Sequence, residues 1–174
     1  MRNVISSLIN SIRLRWDRYR SSKHFWFLVV IFFLGLTPIL WYRPGTMALG
    51  HDMGFPLSPE HWFIDRLSTW SDRINFGGDQ SVLMGSLILH GFEFFITAIV
   101  GNVSLAQAIT YVFWFVLLGV SMYLFMITLL KDNHRYAALF ASILYMFNLF
   151  FLQAWFIAER NKFAVLAALP LVLL

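Results

Sequence analysis

The chain has 174 residues, of which 59% are hydrophobic and 18% aromatic, and its mean hydropathy is +0.69. This composition lies outside the range of ordinary soluble domains and indicates an integral membrane protein. The chain has a net charge of +4. It has no cysteine, so disulfides, thiolate metal sites and thiol catalysis are excluded.

Residues 1–24 are predicted to form a basic, amphipathic segment on the cytoplasmic side. Six of the 13 basic residues precede the first apolar span, where only Asp17 opposes them, and this excess is a topology signal rather than a sign of nucleic-acid binding. Apolar side chains recur there at helical spacing, which suits a helix on the inner leaflet. A basic tail with chance periodicity is the alternative.

Apolar runs predict a first transmembrane helix over residues 25–41 and further spans from residue 106 onward. We place these further spans at Ala106–Leu130 and Tyr136–Phe156, with another beginning at Phe163. A cleaved signal sequence does not fit the first run, because no small-residue cleavage site follows it. Since the chain ends inside an apolar run, we expect it to be the amino-terminal part of a longer protein.

Between these spans, residues 42–105 are predicted to form a large loop on the outer face. Its polar part, Gly50–Gln80, carries five carboxylates and several turn-forming glycines and prolines. Within it, His61–Arg73 has apolar side chains at helical intervals, which predicts a short helix lying on the membrane surface.

The apolar stretch Val82–Val100 is the difficult part of the topology, because it resembles a span but carries His90 and Glu93 near its middle. A re-entrant or interfacial segment is preferred over a crossing. It leaves the basic turn at Lys131–Arg135 inside and the acidic loop outside, as the distribution of basic residues favours.

A series of short motifs follows this outline: Gly-His-Asp at 50–52, Trp70, Phe76-Gly77, Gln80, Leu89-His90-Gly91-Phe92, Phe94-Phe95, Ala158-Glu159-Arg160 and Leu169-Pro170-Leu171. The series resembles the amino-terminal part of the GT-C superfamily of polytopic glycosyltransferases, most closely the α-(1→3)-arabinofuranosyltransferases. The resemblance implies an all-α integral membrane fold, here a fragment of a transmembrane helix bundle with a large first outer loop that contains interfacial helices.

The same resemblance implies a multi-pass protein of the cell membrane. Such a protein transfers a sugar from a polyprenyl-phosphate donor to a cell-envelope glycan or glycolipid acceptor at the outer face. A non-catalytic membrane protein that binds a lipid-linked sugar, or acts in its export, is the alternative, and a transporter segment is another.

Asp52 is the predicted catalytic residue, and it matches the acidic position of the family's first outer loop. A carboxylate that takes the proton of a sugar hydroxyl contributes roughly 10² to 10⁴ in rate, and it also stabilises oxocarbenium-like charge. No second carboxylate flanks Asp52, since His51 precedes it and Met53 follows, so a requirement for a divalent cation stays open and no metal ligand is assigned. A loop aspartate that only caps a turn is the alternative.

The predicted substrate-binding residues share a polar or charged side chain in the outer loops or in the apolar stretch: His51, Asp79, Gln80, His90, Glu93, Glu159 and Arg160. His90 and Glu93 lie three residues apart and would share a helix face. They would contact a ligand, form a buried structural pair, or face solvent at the interface. Arg160 would bind the carrier phosphate through a forked contact, unless it belongs to a solvated turn with Glu159.

Overall fold

A computed structural model of the chain describes residues 23–48, 55–71, 77–79, 81–130, 134–150, 153 and 160–174. These residues are mostly helical, which confirms the predicted all-α class. Most of the predicted basic segment, residues 1–22, lies outside them. The elements in chain order are α1 (Lys23–Gly35), the 3₁₀ helix η1 (Thr37–Trp41), α2 (Pro59–Asp65), β1 (Trp70–Ser71), β2 (Gly78–Asp79), the 3₁₀ helix η2 (Ser81–Ser86), α3 (Leu87–Val100), α4 (Val103–Leu129), α5 (Arg135–Met146) and α6 (Arg160–Val172).

The longest element, α4, is the one helix of the described residues that is long and apolar enough to cross a membrane. Its 27 residues correspond to about 40 Å of helix, against about 30 Å for the hydrocarbon core of a bilayer. Its start is fixed by Asn102, whose side-chain Oδ1 accepts the N–H of Leu105 at 3.0 Å. Just before it, Gly101 adopts a φ of 67°, the left-handed conformation that ends α3 and that glycine tolerates best.

The main core lies where α1, α5 and α6 pack around α4. Two glycines make the close approach possible, since a Cβ at Gly35 would overlap Val116, and one at Gly119 would overlap Ile31 and Met146. The buried hydrophobic residues of this core are Ile31, Tyr111, Phe115, Leu118, Tyr123, Ala138, Met146, Phe163 and Ala167.

The contacts along α4 show that α1 runs antiparallel to it. At the start of α1, His24 Nδ1 lies 2.8 Å from the hydroxyl of Tyr123, whereas the end of α1, at Gly35, meets Val116. Helix α5 also runs antiparallel to α4. Near its start, Tyr136 contacts Phe27 of α1 at the level of Tyr123, and its end lies against Phe115 and Gly119. Helices α1 and α5 therefore both run antiparallel to α4.

Several boundaries differ from those predicted. Helix α5 ends at Met146 rather than Phe156, because Asn148 Nδ2 donates to the carbonyl of Tyr145 at 2.9 Å and takes over one of the last helical acceptors. The helix predicted at His61–Arg73 is shorter and starts earlier, at Pro59, whose ring favours a first helical position. Helix α6 begins at Arg160, three residues before the predicted start.

Candidate functional site

Helices α3 and α4 form a hairpin that brings the predicted His90 and Glu93 against the bundle. Only Gly101 and Asn102 separate the two helices, and the ring of Phe92 lies 4.5 Å from that of Phe113 and 5.8 Å from that of Trp114. Phe92 precedes Gly101 by nine residues, so the helices run side by side in opposite directions for about 14 Å. Helix α4 therefore runs back along the end of the stretch that the sequence predicts to be re-entrant or interfacial.

His90 and Glu93 form a buried pair within α3. His90 Nδ1 lies 3.0 Å from Glu93 Oε2, and the two side chains are 3% and 0% exposed. The spacing of three residues places them on one helix face, as the sequence predicts. Their burial excludes the solvent-facing alternative and leaves a structural pair or a ligand contact.

The short helix α2 covers this pair. The ring of Trp62 lies 5.5 Å from that of His90, and the rings of Phe63 and Phe94 stack at 5.5 Å with an angle of 7° between their planes. Gly91 leaves room for this contact, since a Cβ there would lie 3.1 Å from the ring of Phe63. The Arg66 guanidinium lies over the Trp62 indole, 5.1 Å from the ring centroid, a cation–π distance. Access to the pair would therefore require α2 to move.

Asp79 lies in the short ladder of β1 and β2, where Trp70 pairs with Asp79 and Ser71 with Gly78. Its Oδ1 accepts the backbone N–H of Ser81 at 2.8 Å, and its Oδ2 accepts the Ser81 hydroxyl at 3.0 Å. These bonds, the backbone one first, lower the pKa of Asp79 below its ordinary value. The carboxylate therefore caps the start of η2.

The segment that leads toward Gly-His-Asp is bonded to the first turns of α4. We call residues 46–48 the strap. Ser104 Oγ donates to the carbonyl of Thr46. Gln107 makes two bonds to one residue, Ala48: its Oε1 accepts the Ala48 N–H at 2.9 Å, and its Nε2 donates to the Ala48 carbonyl at 2.6 Å. Both α4 side chains are buried.

Ser104 and Gln107 were not among the predicted site residues. The signal that would have found them is their polarity, because they lie three residues apart at the start of a helix that is otherwise strongly apolar. A polar group in such a helix needs a partner, and here the partner is the backbone of the strap.

A groove of about 300 Å³ opens beside the start of α6. Its lining consists of Phe150, Asn161, Lys162, Val165 and Leu166, and its walls are almost wholly apolar. Lys162 is the charged residue among them, and it is exposed. Arg160, predicted to bind phosphate, is the first residue of α6.

The remaining predicted site residues, His51, Asp52, Gln80 and Glu159, lie outside the described residues. In the part of the chain that the structure describes, no group of three or more His, Asp or Glu side chains is arranged to hold a metal ion. Comparisons of the chain with protein-family models, with curated proteins and with solved structures found no match.

Proposed function

We propose that the chain is the membrane-embedded part of a glycosyltransferase of the GT-C type. It would transfer a sugar from a polyprenyl-phosphate donor to a cell-envelope glycan or glycolipid acceptor at the outer face of the cell membrane. The observation that carries the proposal is the bonding of the strap, through Ala48, to Gln107 near the amino-terminal end of α4. Asp52, the predicted base, follows Ala48 by only four residues in the sequence.

This placement suits chemistry at a bilayer surface. Helix α4 is longer than the hydrocarbon core, so its ends reach the headgroup level, where the phosphate of a lipid carrier lies. The chain is also packed on the other side of Asp52, since Phe55, three residues later in the sequence, is buried. A carboxylate near the headgroup level would meet a lipid-linked phosphate and a polar acceptor together.

The proposed topology is multi-pass, with the amino terminus in the cytoplasm. Helices α1 and η1 together give about 30 Å of helix, by rises of about 1.5 and 2.0 Å per residue, which matches the hydrocarbon core. With α1 and α5 antiparallel to α4, the proposed topology puts the loop 42–105 outside and the basic turn before α5 inside, the sidedness being taken from the distribution of basic residues. The arrangement agrees with the arginines that precede the first span.

The donor class is supported by the groove beside α6. An apolar groove with Lys162 in its lining suits both parts of a polyprenyl phosphate. The isoprenoid chain would occupy the apolar walls, and the cationic side chain of Lys162 would meet the phosphate, together with Arg160 as the sequence predicts.

In the proposed reaction, the acceptor hydroxyl attacks the anomeric carbon of the donor sugar. Asp52 takes the hydroxyl proton as the new carbon–oxygen bond forms, and the bond to the carrier phosphate breaks, so polyprenyl phosphate leaves. The buried His90 and Glu93 would serve the acceptor only after a displacement of α2.

The test is transfer of a radiolabelled sugar from a polyprenyl-phosphate donor in membranes that contain the complete gene product. Asp52→Asn should lower turnover by about 10² or more and leave the apparent affinity for the donor nearly unchanged, because a base acts mainly in the transition state. Glu60→Gln, an exposed carboxylate of the same loop, is the matched control and should keep wild-type turnover. Wild-type turnover in Asp52→Asn would refute the assignment of the base. Donor binding without transfer by the wild type would favour the non-catalytic alternative, and counterflow across vesicles would favour a transporter.

A further inference from the structure

We propose that one side of helix α3 is a lipid-binding surface, in contact with the acyl chains of the outer leaflet beside the first half of α4. Helix α3 then runs from the interior of the bilayer to its outer surface as a re-entrant helix. The inference rests on the proposed function only for the membrane placement of α4, and it does not depend on sugar transfer.

The hairpin of α3 and α4 does not allow α3 to lie flat on the membrane surface while α4 crosses the bilayer. Phe92 lies nine residues before Gly101, and Phe113 lies eleven after Asn102, which correspond to about 14 and about 17 Å along the two helices. If the helices were perpendicular, Phe92 and Phe113 would be more than about 20 Å apart, too far for their rings to lie 4.5 Å from each other. Helix α3 therefore either follows α4 into the membrane or projects with it into water.

The distribution of side chains on α3 decides between these two placements. The exposed residues of the helix are all apolar, and they are Ile88, Phe95, Ala98 and Ile99. Its ionisable residues, His90 and Glu93, are buried, whereas Ile88 is 85% exposed. This arrangement is the reverse of that in a helix bathed in water. Apolar groups outside and polar groups inside suit surroundings of hydrocarbon.

The exposed apolar surface continues from α3 onto α4. On α3, positions 88, 92, 95 and 99 have the three- and four-residue spacing of one helix face. On α4, Leu105, Ile109 and Phe113 are exposed at intervals of four residues. The ring contact between Phe92 and Phe113 joins the two rows. Because the second row belongs to the helix that is long and apolar enough to cross a membrane, the same lipid covers both.

The opposite side of α3 carries the polar part of the candidate site. At 3.6 residues per turn, His90 and Glu93 are centred about 160° around the helix from the apolar row. Helix α2 packs on His90 through Trp62, and its Glu60 is exposed. Helix α3 is therefore a wall between the lipid and the site. Its 14 residues give about 21 Å, less than the about 30 Å of the hydrocarbon core, so it does not cross.

Depth-dependent quenching of fluorescence tests this placement. Since residues 1–174 contain no cysteine, Ile88→Cys and Ile99→Cys can each carry one bimane label in the complete gene product, any cysteine elsewhere being replaced first. The protein is reconstituted in phosphatidylcholine vesicles whose lipids carry a doxyl group either near the headgroup or deep in the acyl chain, and iodide is the aqueous quencher. The two positions are about 16 Å apart along α3. The deep doxyl group should quench the Ile88 label more strongly, and the shallow one the Ile99 label.

Three controls use the same labels and quenchers. Leu89→Cys, the buried neighbour of Ile88, should be protected from doxyl lipid and from iodide. Glu60→Cys, on exposed α2, should be quenched by iodide. Leu124→Cys, at an exposed position in the second half of α4, should be quenched by doxyl lipid. Phe95→Cys replaces either α3 variant if that variant fails to fold, and its label should be quenched by doxyl lipid and not by iodide.

The outcomes separate this inference from the proposed function. Lipid quenching of the α3 labels with the expected order of depths supports the lipid-facing surface. Quenching of these labels by iodide overturns it, because the hairpin would then project into water. Protection from both quenchers also overturns it, since another helix or a second copy of the chain would then cover the surface. Equal depths would mean an interfacial helix and overturn it as well. If the Leu124 label itself escapes doxyl lipid, the membrane placement in the proposed function fails.

Discussion

Replacement of Gly119 tests the packing on which the topology depends. A Cβ at this position would lie 2.6 Å from Cγ2 of Ile31 on α1, and it would also overlap Met146 on α5. The methionine side chain is flexible and can move, whereas Ile31 is β-branched, wholly buried and stiff. Gly119→Ala therefore forces α1 and α4 apart, and overpacking of this kind costs about 1–3 kcal/mol.

The matched control is Gly85→Ala in η2, where an added Cβ has nothing within 4 Å. Both substitutions remove the conformational freedom of a glycine in a helical segment, so their difference isolates the overpacking. A difference of about 2 kcal/mol corresponds to about 4–8 °C in a protein of this size. Thermal unfolding in detergent gives the two midpoints, and Gly119→Ala should unfold at the lower temperature.

The same assay contains a check on the cause. Ile31→Ala alone should destabilise the protein by about 2–5 kcal/mol, as truncation of a buried isoleucine does. In combination with Gly119→Ala the two effects should not add, because the truncated side chain leaves room for the new Cβ. If Gly119→Ala unfolds no earlier than Gly85→Ala, then α1 and α5 do not meet α4 at this level. The antiparallel bundle, and with it the proposed topology, would be wrong.

Three further outcomes are expected. Cysteines placed singly at Ser71 and Asn133 should differ in intact cells, the first labelled by an impermeant reagent and the second protected; labelling of both would mean that the stretch before α4 crosses the bilayer. His90→Ala and Glu159→Gln should raise KM more than they lower kcat, and a pure loss of kcat would refute a substrate contact. The pKa of Asp79 should lie below its ordinary value. Its bonds to Ser81 therefore stabilise the folded loop at any pH above the ordinary pKa, and this stabilisation is lost as the pH falls through the lowered pKa. Titration of the carboxyl group by NMR measures the pKa, and an ordinary value would contradict the capping.

The sequence predicted the helical class and the position of α4 because both depend on properties that composition and periodicity record. It misplaced the end of α5 because the apolar run continues past Met146, and hydropathy does not register the bond from Asn148 to the carbonyl of Tyr145. The burial of His90 and Glu93 was one of three alternatives in the sequence. It is decided by the rings of α2, which lie about 30 residues earlier in the chain and which no local pattern connects to α3.

The polar residues of α4 show what separates a structural polar group from one that serves the loop. In its second half, Ser121 and Thr128 donate to carbonyls three and four residues earlier in the same helix, at Leu118 and Leu124, so their hydroxyls are satisfied locally. In its first turns, Ser104 and Gln107 bond instead to backbone 58 and 59 residues away. Both of the Gln107 bonds go to Ala48, outside its own helix. A buried glutamine near the start of an apolar helix therefore indicates a tertiary anchor, and the segment that it holds is the place to look for chemistry.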